Sequence, residues 1–428
     1  MTDSPDRSGQ IDDSGERVVR HINLSGSQDA QFGSIPPAAR PPRLSRRRLA
    51  RLRAALVQAL IFGAIVAVFG TFLGMVWAGL RSHGIGFSLD FLRQQAGFDI
   101  SEGFTFTHGP NGLTLSPFNA QMTNAQALVT GLYNTLVVAL ISIALSTVLG
   151  VLLGVTRMSK NWVAKNWVWG FIELIRNTPL LIQILFWYFA VVLQLPSLSQ
   201  ASLLHGALIA SRQGVYIPWL IATPAAKTFM AFLGVALALA AVGCMSRARK
   251  LRQGAFAAST LILVAGFFVG GRPFSLDYPV ASLFSVSGGI GCSPEMASLI
   301  AALSVNTAAY IAEIVRGAVE AIDKGQWEAA SALGLSGRES LWVIVLPQAL
   351  RVMLPSLGNQ YISLTKSTSF AIAIGFPDLF NVYGTVANQS GRSLEGILII
   401  MVVYLLISVS ISALMNLYNR RVIKKGAR

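Results

Sequence analysis

Charge is scarce in this chain: only 12% of its 428 residues are Asp, Glu, Lys or Arg, about half the share of a soluble globular protein. Cysteine and histidine are scarcer still, at two and four. His21, His83, His108 and His205 are scattered, and with Cys244 and Cys292 they offer none of the spacings that hold zinc. No metal site and no cofactor is expected. A phosphate-cradling loop is also missing, since it needs G-x-x-x-x-G-K-[ST]. The nearest fragment, Thr365-Lys366-Ser367, has Thr365 in place of the second glycine and Gln360 in place of the first. No nucleophile or acid–base set clusters either, so the chain is not expected to be an enzyme. Any energy it uses must come from a partner.

What the chain has instead is apolar length. Apolar residues make up 53% of it, and the mean hydropathy is +0.57. Several runs reach the roughly 20 residues a helix needs to cross a bilayer core. The fold class is therefore an all-α polytopic membrane protein. A net charge of +15 raises nucleic acid as a partner. The basic residues stand beside apolar runs, as orientation signals do, so the bilayer is expected as the partner and nucleic acid is not.

Residues 1–39 are rich in Ser, Asp, Gly and Gln, lack apolar periodicity, and read as disordered. Seven arginines follow within residues 40–53, completing a basic cytoplasmic tail over 1–53. The apolar run 54–80 comes too late in the chain for a cleavable signal peptide and reads as an uncleaved first span. Seven more spans follow, at 131–156, 168–195, 228–246, 253–271, 296–316, 352–376 and 394–417. Arg157, Lys160 and Lys165 follow the second span, and Arg247, Arg249, Lys250 and Arg252 separate the fourth and fifth. Arg420, Arg421, Lys424, Lys425 and Arg428 lie in a second basic tail, 418–428. With eight spans all these clusters fall on one side, the cytoplasmic one, together with both termini. Loops 81–130, 196–227, 272–295 and 377–393 then lie outside. The longest, 81–130, suits a short excursion with a re-entrant or amphipathic piece. Cys244 and Cys292 fall at opposite faces, where they serve as small apolar side chains rather than a bridge. No internal repeat is evident, which speaks against inverted-repeat transporters.

Residues 320–351, between the sixth and seventh spans, carry the strongest functional signal. Gln326, Trp327, Glu328, Ala329, Ala330, Ala332 and Leu333 favour a short helix. Gly334 interrupts it, because glycine costs about 1 kcal/mol inside a helix and permits a sharp turn. Helical character resumes over 337–346, with Leu341, Ile344 and Val345 on one side, and Pro347 ends or kinks that segment. By pattern alone this is either an ordinary amphipathic loop or a helix–turn–helix shaped to enter a groove on another protein.

The residues themselves resemble the EAA loop of bacterial ABC-importer permeases, with Glu328, Ala329, Ala330, Gly334, Ile344, Leu346 and Pro347 at its fixed positions. The flanking text resembles the polar amino-acid permeases of the histidine/glutamine type. Before the loop stands Ala308-Ala309-Tyr310-Ile311-Ala312-Glu313-Ile314-Val315-Arg316-Gly317-Ala318. After it come Leu346-Pro347-Gln348-Ala349, Pro355, Asn359 and Lys366-Ser367-Thr368-Ser369. Upstream, Gly131-Leu132-Tyr133-Asn134-Thr135-Leu136 and the run 173–181 also match. Such permeases have five core spans, here the second, third, sixth, seventh and eighth. The first span and the hairpin 228–271, within an insertion of about 200–294, are additions. So enlarged, the chain resembles the general L-amino-acid permeases and the glutamate/glutamine/aspartate/asparagine permeases of Gram-negative bacteria.

The resemblance implies a type I importer permease of the inner membrane, with its transmembrane domain at 131–417. It implies an assembly with a second, different permease subunit, a cytoplasmic ABC ATPase dimer and a periplasmic amino-acid-binding protein. The ATPase would grip the loop at Trp327, Glu328, Ala329, Ala330, Gly334, Ile344, Leu346 and Pro347. Its closure would pull the docked helices together and turn the pathway from inward- to outward-facing.

Charged groups inside a bilayer are costly and tend to face a pathway or a partner. Asn306, Tyr310 and Glu313 share one face of the sixth span, while Lys366, Thr368 and Ser369 lie within the seventh. Two readings stand. The six line a cavity that meets a zwitterionic amino acid, or they satisfy one another between helices, Glu313 with Arg316 or Lys366. Glu173 and Arg176 have the i, i+3 spacing of a local pair, and Pro179 kinks the third span or starts its buried part. These three are gate or packing residues.

Overall fold

The computed structural model describes residues 46–82, 87–109, 112–201, 208–246, 248–269, 273–282 and 285–425. Residues 1–45 of the expected N-terminal tail, Arg247 of the basic hairpin tip, and residues 426–428 lie outside this set. The chain forms two units, Met1–Gly86 and Phe87–Arg428. In the first, helix α1 (Arg46–Ser82) is apolar on every side over Arg53–Met75, with all those side chains exposed. A helix without a polar face suits hydrocarbon rather than water.

The second unit opens with a short helical turn, Asp90–Arg93, that buries Phe91, and then a hairpin of β1 (Phe104–Gly109) and β2 (Gly112–Pro117), which the reading of loop 81–130 did not include. Phe104-Thr105-Phe106-Thr107 alternates with the period of a strand. Helix α2 (Asn124–Arg157) starts on a capping box: Thr123 Oγ1 accepts from the Gln126 N–H, and Gln126 Oε1 accepts from the Thr123 N–H. Helices α3 (Trp162–Asn177) and α4 (Leu180–Leu185) follow. The expected span 168–195 is thereby broken, since Trp162–Asn177 and Leu180–Gln194 meet at 106°. Pro179 is the cause. It supplies no N–H and drives Thr178 into extended backbone at ψ 128°. Buried Gln183 bridges the break, its Nε2 donating to the carbonyls of Ile175 (2.8 Å), which also accepts from the Thr178 N–H, and Thr178 (2.9 Å).

Strands β3 (Ile209–Ser211), β4 (Gly214–Ile217) and β5 (Trp219–Ala222) precede helices α5 (Ala225–Met245) and α6 (Arg249–Val269). After them come β6 (Phe274–Asp277), β7 (Val280–Ala281), β8 (Val286–Ser287) and β9 (Ile290–Cys292). The strands pair antiparallel as β3-β4-β9, β5-β6 and β7-β8. These ribbons amend the all-α expectation, within the segments read as external loops. Helices α5 and α6 pack principally on one another, with Ser259 Oγ donating to the Ala236 carbonyl. Cys244 and Cys292 are both free.

Strand β9 leads into α7 (Pro294–Glu320). The most apolar window of α7 is 61% buried, against 6% for the last helix, which makes α7 the axis of the bundle. Its closest neighbour is α2. A Cβ on Gly150 would lie 2.6 Å from Ile311 Cβ, and one on Gly154 would lie 2.8 Å from Val315 Cβ. Small residues four apart let helix backbones meet, which matters where lipid removes the hydrophobic drive to associate. The chain continues through α8 (Lys324–Ala332), α9 (Gly337–Ser340), α10 (Leu346–Ser367), α11 (Leu379–Ser390) and α12 (Ser393–Lys425). Helix α12 runs through most of the expected C-terminal tail. Among the described residues seven helices are long and apolar enough to cross a membrane, and the bent pair would be an eighth.

Candidate functional site: a helix–turn–helix and a polar cavity

Helix α8 begins at Asp323, whose carboxylate accepts from the Gly325 N–H at 2.7 Å. It ends in a Schellman motif. Gly334 has φ +76°, its N–H donates to the Ser331 carbonyl (3.0 Å), and the Leu335 N–H donates to the Ala330 carbonyl (3.1 Å). Ser336 at once opens α9 with a capping box, its N–H 2.8 Å from Glu339 Oε2. The two motifs stand back to back, so the turn is fixed from both ends. Pro347 neither ends nor sharply kinks the second arm. A wide π-helical turn, Leu341–Val345, leads into α10 without a break, and Pro347 sits in its first turn. The wider turn relieves the clash between the proline ring and the preceding carbonyls and absorbs the missing donor. Gln348 Nε2 then ties the arms together, donating to the Ile344 carbonyl and to Gln326 Oε1, each at 3.1 Å.

Ala330 and Val345 are fully buried inside this knuckle. Glu328, Ala329, Gly334 and Pro347 face outward, while Trp327, Ile344 and Leu346 are half-buried. Leu333, Trp342 and Val343 stand 77%, 62% and 66% exposed, an apolar rim that the other described residues leave open. Trp342 and Val343 escape the sequence reading because the π turn rotates them outward.

Further into the bundle, Asn306 and Tyr310 of α7 meet Gln360, Ser363 and Ser367 of α10 around a cavity of about 280 Å³. The Arg176 guanidinium lies 5.5 Å from the centroid of the Tyr310 ring, within cation–π range. Glu173 instead accepts from Asn177 Nδ2 at 3.1 Å, and no Glu173–Arg176 pair occurs among the described ion pairs. Glu313 is also elsewhere. Arg157 Nε lies 3.1 Å from one of its oxygens and an Arg316 nitrogen 2.9 Å from the other, and Arg316 pairs onward with Glu320.

Lys366 and Ser369 line a separate, mostly apolar cavity of about 710 Å³ beside α12. Thr368 is fully buried, its hydroxyl donating to the Thr365 carbonyl at 2.9 Å. The six expected pathway residues are therefore not brought together. Helix rotation is the reason: positions 360, 363 and 367 share a stripe, whereas 366 and 369 are turned away from it. The i, i+3, i+7 spacing of Gln360, Ser363 and Ser367 is the signal that would have found them.

At the other end of α2, Asn134 Nδ2 donates to the carbonyls of Glu102 (3.0 Å) and Pro377 (2.9 Å). Thr135 Oγ1 accepts from the Leu379 N–H at 3.0 Å. Gly131 makes room, since a Cβ there would lie 2.9 Å from Leu379 Cα. This packing buries Asp378, which accepts from the Asn381 N–H through Oδ1 (2.9 Å). Burial pushes its carboxyl up to about 6, against the pull of the backbone N–H groups it accepts from.

Residues 146–424, more than half the chain, match the family described as "Binding-protein-dependent transport system inner membrane component". The chain belongs to this family. The general L-amino acid transport system permease protein AapQ of Rhizobium johnstonii is 39% identical over 344 residues, covering 77% of this chain and 82% of that one. The putative amino-acid ABC transporter permease protein YhdX of Escherichia coli is 36% identical, covering 85% and 93%. The glutamate/glutamine/aspartate/asparagine transport system permease protein BztB of Rhodobacter capsulatus is 34% identical, covering 82% and 90%. A solved amino acid ABC transporter with histidines overlays 69% of this chain and 94% of that one, at 22% identity and a TM-score of 0.44. In this inner-membrane component, the matched region takes in both the knuckle and the polar cavity. It leaves out α1 and the β1–β2 hairpin.

Proposed function

We propose that this chain is a permease subunit of an ATP-driven importer for polar amino acids: glutamate, glutamine, aspartate, asparagine or L-amino acids generally. The substrate class rests on likeness along most of the chain to relatives named for those substrates. The observation that carries the mechanism is the α8–α9 knuckle, a turn fixed at both ends with an apolar rim. A soluble ATPase dimer is its partner, and this chain hydrolyses nothing itself. Trp327, Glu328, Ala329, Gly334, Ile344, Leu346 and Pro347 set the docking surface, with Ala330 acting from within by shape. Because α8 follows α7 directly and the π turn feeds α10, pulling on the knuckle moves both walls of the polar cavity.

In that cavity Asn306, Tyr310, Gln360, Ser363 and Ser367 offer neutral donors and acceptors to the ammonium and carboxylate of a passing zwitterion. Lys366 and Ser369, with Thr368 behind them, face a second and different permease chain. Glu313 holds the inner end through its arginines, and Glu173, Arg176 and Pro179 set the bend beside the gate. The knuckle and both termini lie in the cytoplasm, and a periplasmic binding protein delivers the substrate.

Liposome reconstitution tests this. Uptake of labelled glutamate is expected only when the second permease, the ATPase, the binding protein and ATP are all present. Uptake by this chain alone would replace the reading with a self-contained transporter or channel.

A further inference from the structure

A cavity of about 960 Å³ lies where the end of α2, the start of α3 and the end of α7 meet α8. Its wall holds Arg157, Lys160, Lys165 and Arg316 against one carboxylate, Glu320. Arg316 is engaged by Glu313 and Glu320. Arg157 approaches Glu313 through Nε, off the axis of a hydrogen bond, and its buried Nη1 has no acceptor among the described residues. Lys160 and Lys165 are exposed and make no ion pair among the described residues. A buried guanidinium nitrogen without an acceptor is costly, so this wall favours an anion.

A second hollow abuts the first. On α3, Trp162, Trp167, Gly170, Phe171 and Leu174 line an apolar trough of about 440 Å³. Asn166 belongs to both walls. Trp162 and Trp167 are 73% and 78% exposed, as tryptophans are where a membrane meets water. A cationic cup and an apolar trough joined at one residue have the shape and polarity of an amphiphile with an anionic head.

We propose that α3 carries a binding site for an anionic phospholipid. The phosphodiester headgroup sits on Arg157, Lys160 and Lys165, and an acyl chain lies along Trp167, Gly170 and Leu174. Arginine grips phosphate with paired N–H donors, and basic pockets between helices on the cytoplasmic side hold anionic headgroups. The site rests on the transport reading only for its leaflet, the cytoplasmic one. Trp327 and Leu341 wall the same cup, so a bound headgroup braces the knuckle.

The test is lipid retention by the full chain, taken from vesicles of mixed phosphatidylglycerol and phosphatidylcholine and read by native mass spectrometry. Wild type is expected to retain phosphatidylglycerol selectively. K160Q/K165Q, at two exposed positions that folding tolerates, is expected to lower that retention about thirtyfold, each lysine contributing a factor of about five. Gly170→Leu, which fills the trough, is expected to lower it too. Inorganic phosphate alone should not compete. Equal retention of the two lipids overturns the proposal, as does indifference to K160Q/K165Q. Competition by phosphate, with Gly170→Leu silent, would mean a free anion. Loss of the lipid whenever the ATPase docks would give the cup to that partner. Retention requires no transport. A complex that imports without lipid selectivity ends this proposal alone, and a chain that keeps its lipid but couples to no ATPase ends the transport reading alone.

Discussion

Gly334 and Asp378 are both held by their surroundings, yet only one announces itself in the sequence. Gly334 sits at φ +76°, where a side chain costs about 1–2 kcal/mol and only Gly, or at times Asn or Asp, is at home. Gly334→Val should therefore loosen the end of α8, raise amide exchange at Leu335, and cut substrate-stimulated ATPase activity severalfold in the assembled importer. Gly334→Asn should restore most of both. That glycine was legible because the motif that needs it spans only a few residues. Asp378 was not, because Gly131, Asn134 and Thr135, which bury it, lie far back in the chain. Its carboxyl moves from 3.8 to about 6 on folding, so the folded chain holds more protons than the unfolded one between those values. The stability contributed is full below about pH 4 and is lost as pH rises through 6, up to about 3 kcal/mol. Asp378→Asn should remove the loss. Its thermal midpoint minus that of wild type should grow from pH 4 to 7 and then level, and a flat difference would mean that the carboxylate is charged in the fold.

At the scale of helices, existence was easy to read and direction was not. Apolar length located α2, α5, α6, α7 and α12 to within a few residues at their starts, apart from the early onset of α2. The same signal made one span of 168–195, although Pro179 turns the chain by 106° there. Which way a face points was illegible for α10. Lys366 and Ser367 are neighbours in sequence but line different hollows, and only the packed helices reveal which stripe meets Asn306. The Gly150–Gly154 pair went unread although its spacing of four is plain. Added methyl groups there meet Ile311 and Val315 below van der Waals distance. Gly150→Ala and Gly154→Ala should each destabilise the bundle by about 1–3 kcal/mol, measured by thermal unfolding in detergent. Gly234→Ala, with nothing within 4 Å of the new Cβ, is the control and should change little.

For the molecule as a whole, the count of eight crossings came from the apolar runs and was tested by where the basic clusters stand, and seven helices plus a bent pair among the described residues answer it. Strands β5, β6 and β9 were illegible because their partners are remote, Val215 pairing with Cys292 across the whole α5–α6 hairpin, whereas β1–β2, β3–β4 and β7–β8 are local hairpins too short to stand out from loop sequence. Function belongs to this scale too. Asn306→Leu combined with Gln360→Leu should leave the importer assembled and able to hydrolyse ATP, yet lower amino-acid uptake at least tenfold (about 1.4 kcal/mol). Unchanged uptake would move the pathway elsewhere, first to the hollow beside Lys366.

The continuity of β9, α7 and α8 has a mechanical consequence. Ser293 alone separates β9 from α7, and three residues separate α7 from α8. The 27 residues of α7 make a stiff beam about 40 Å long, with Asn306 and Tyr310 near its middle. In the proposed importer, a delivery protein leaning on the outer ribbon and a nucleotide engine tugging at the inner knuckle would load the same beam from opposite ends. Arrival of cargo and consumption of fuel would then be reconciled by leverage, without any relay of side chains between them.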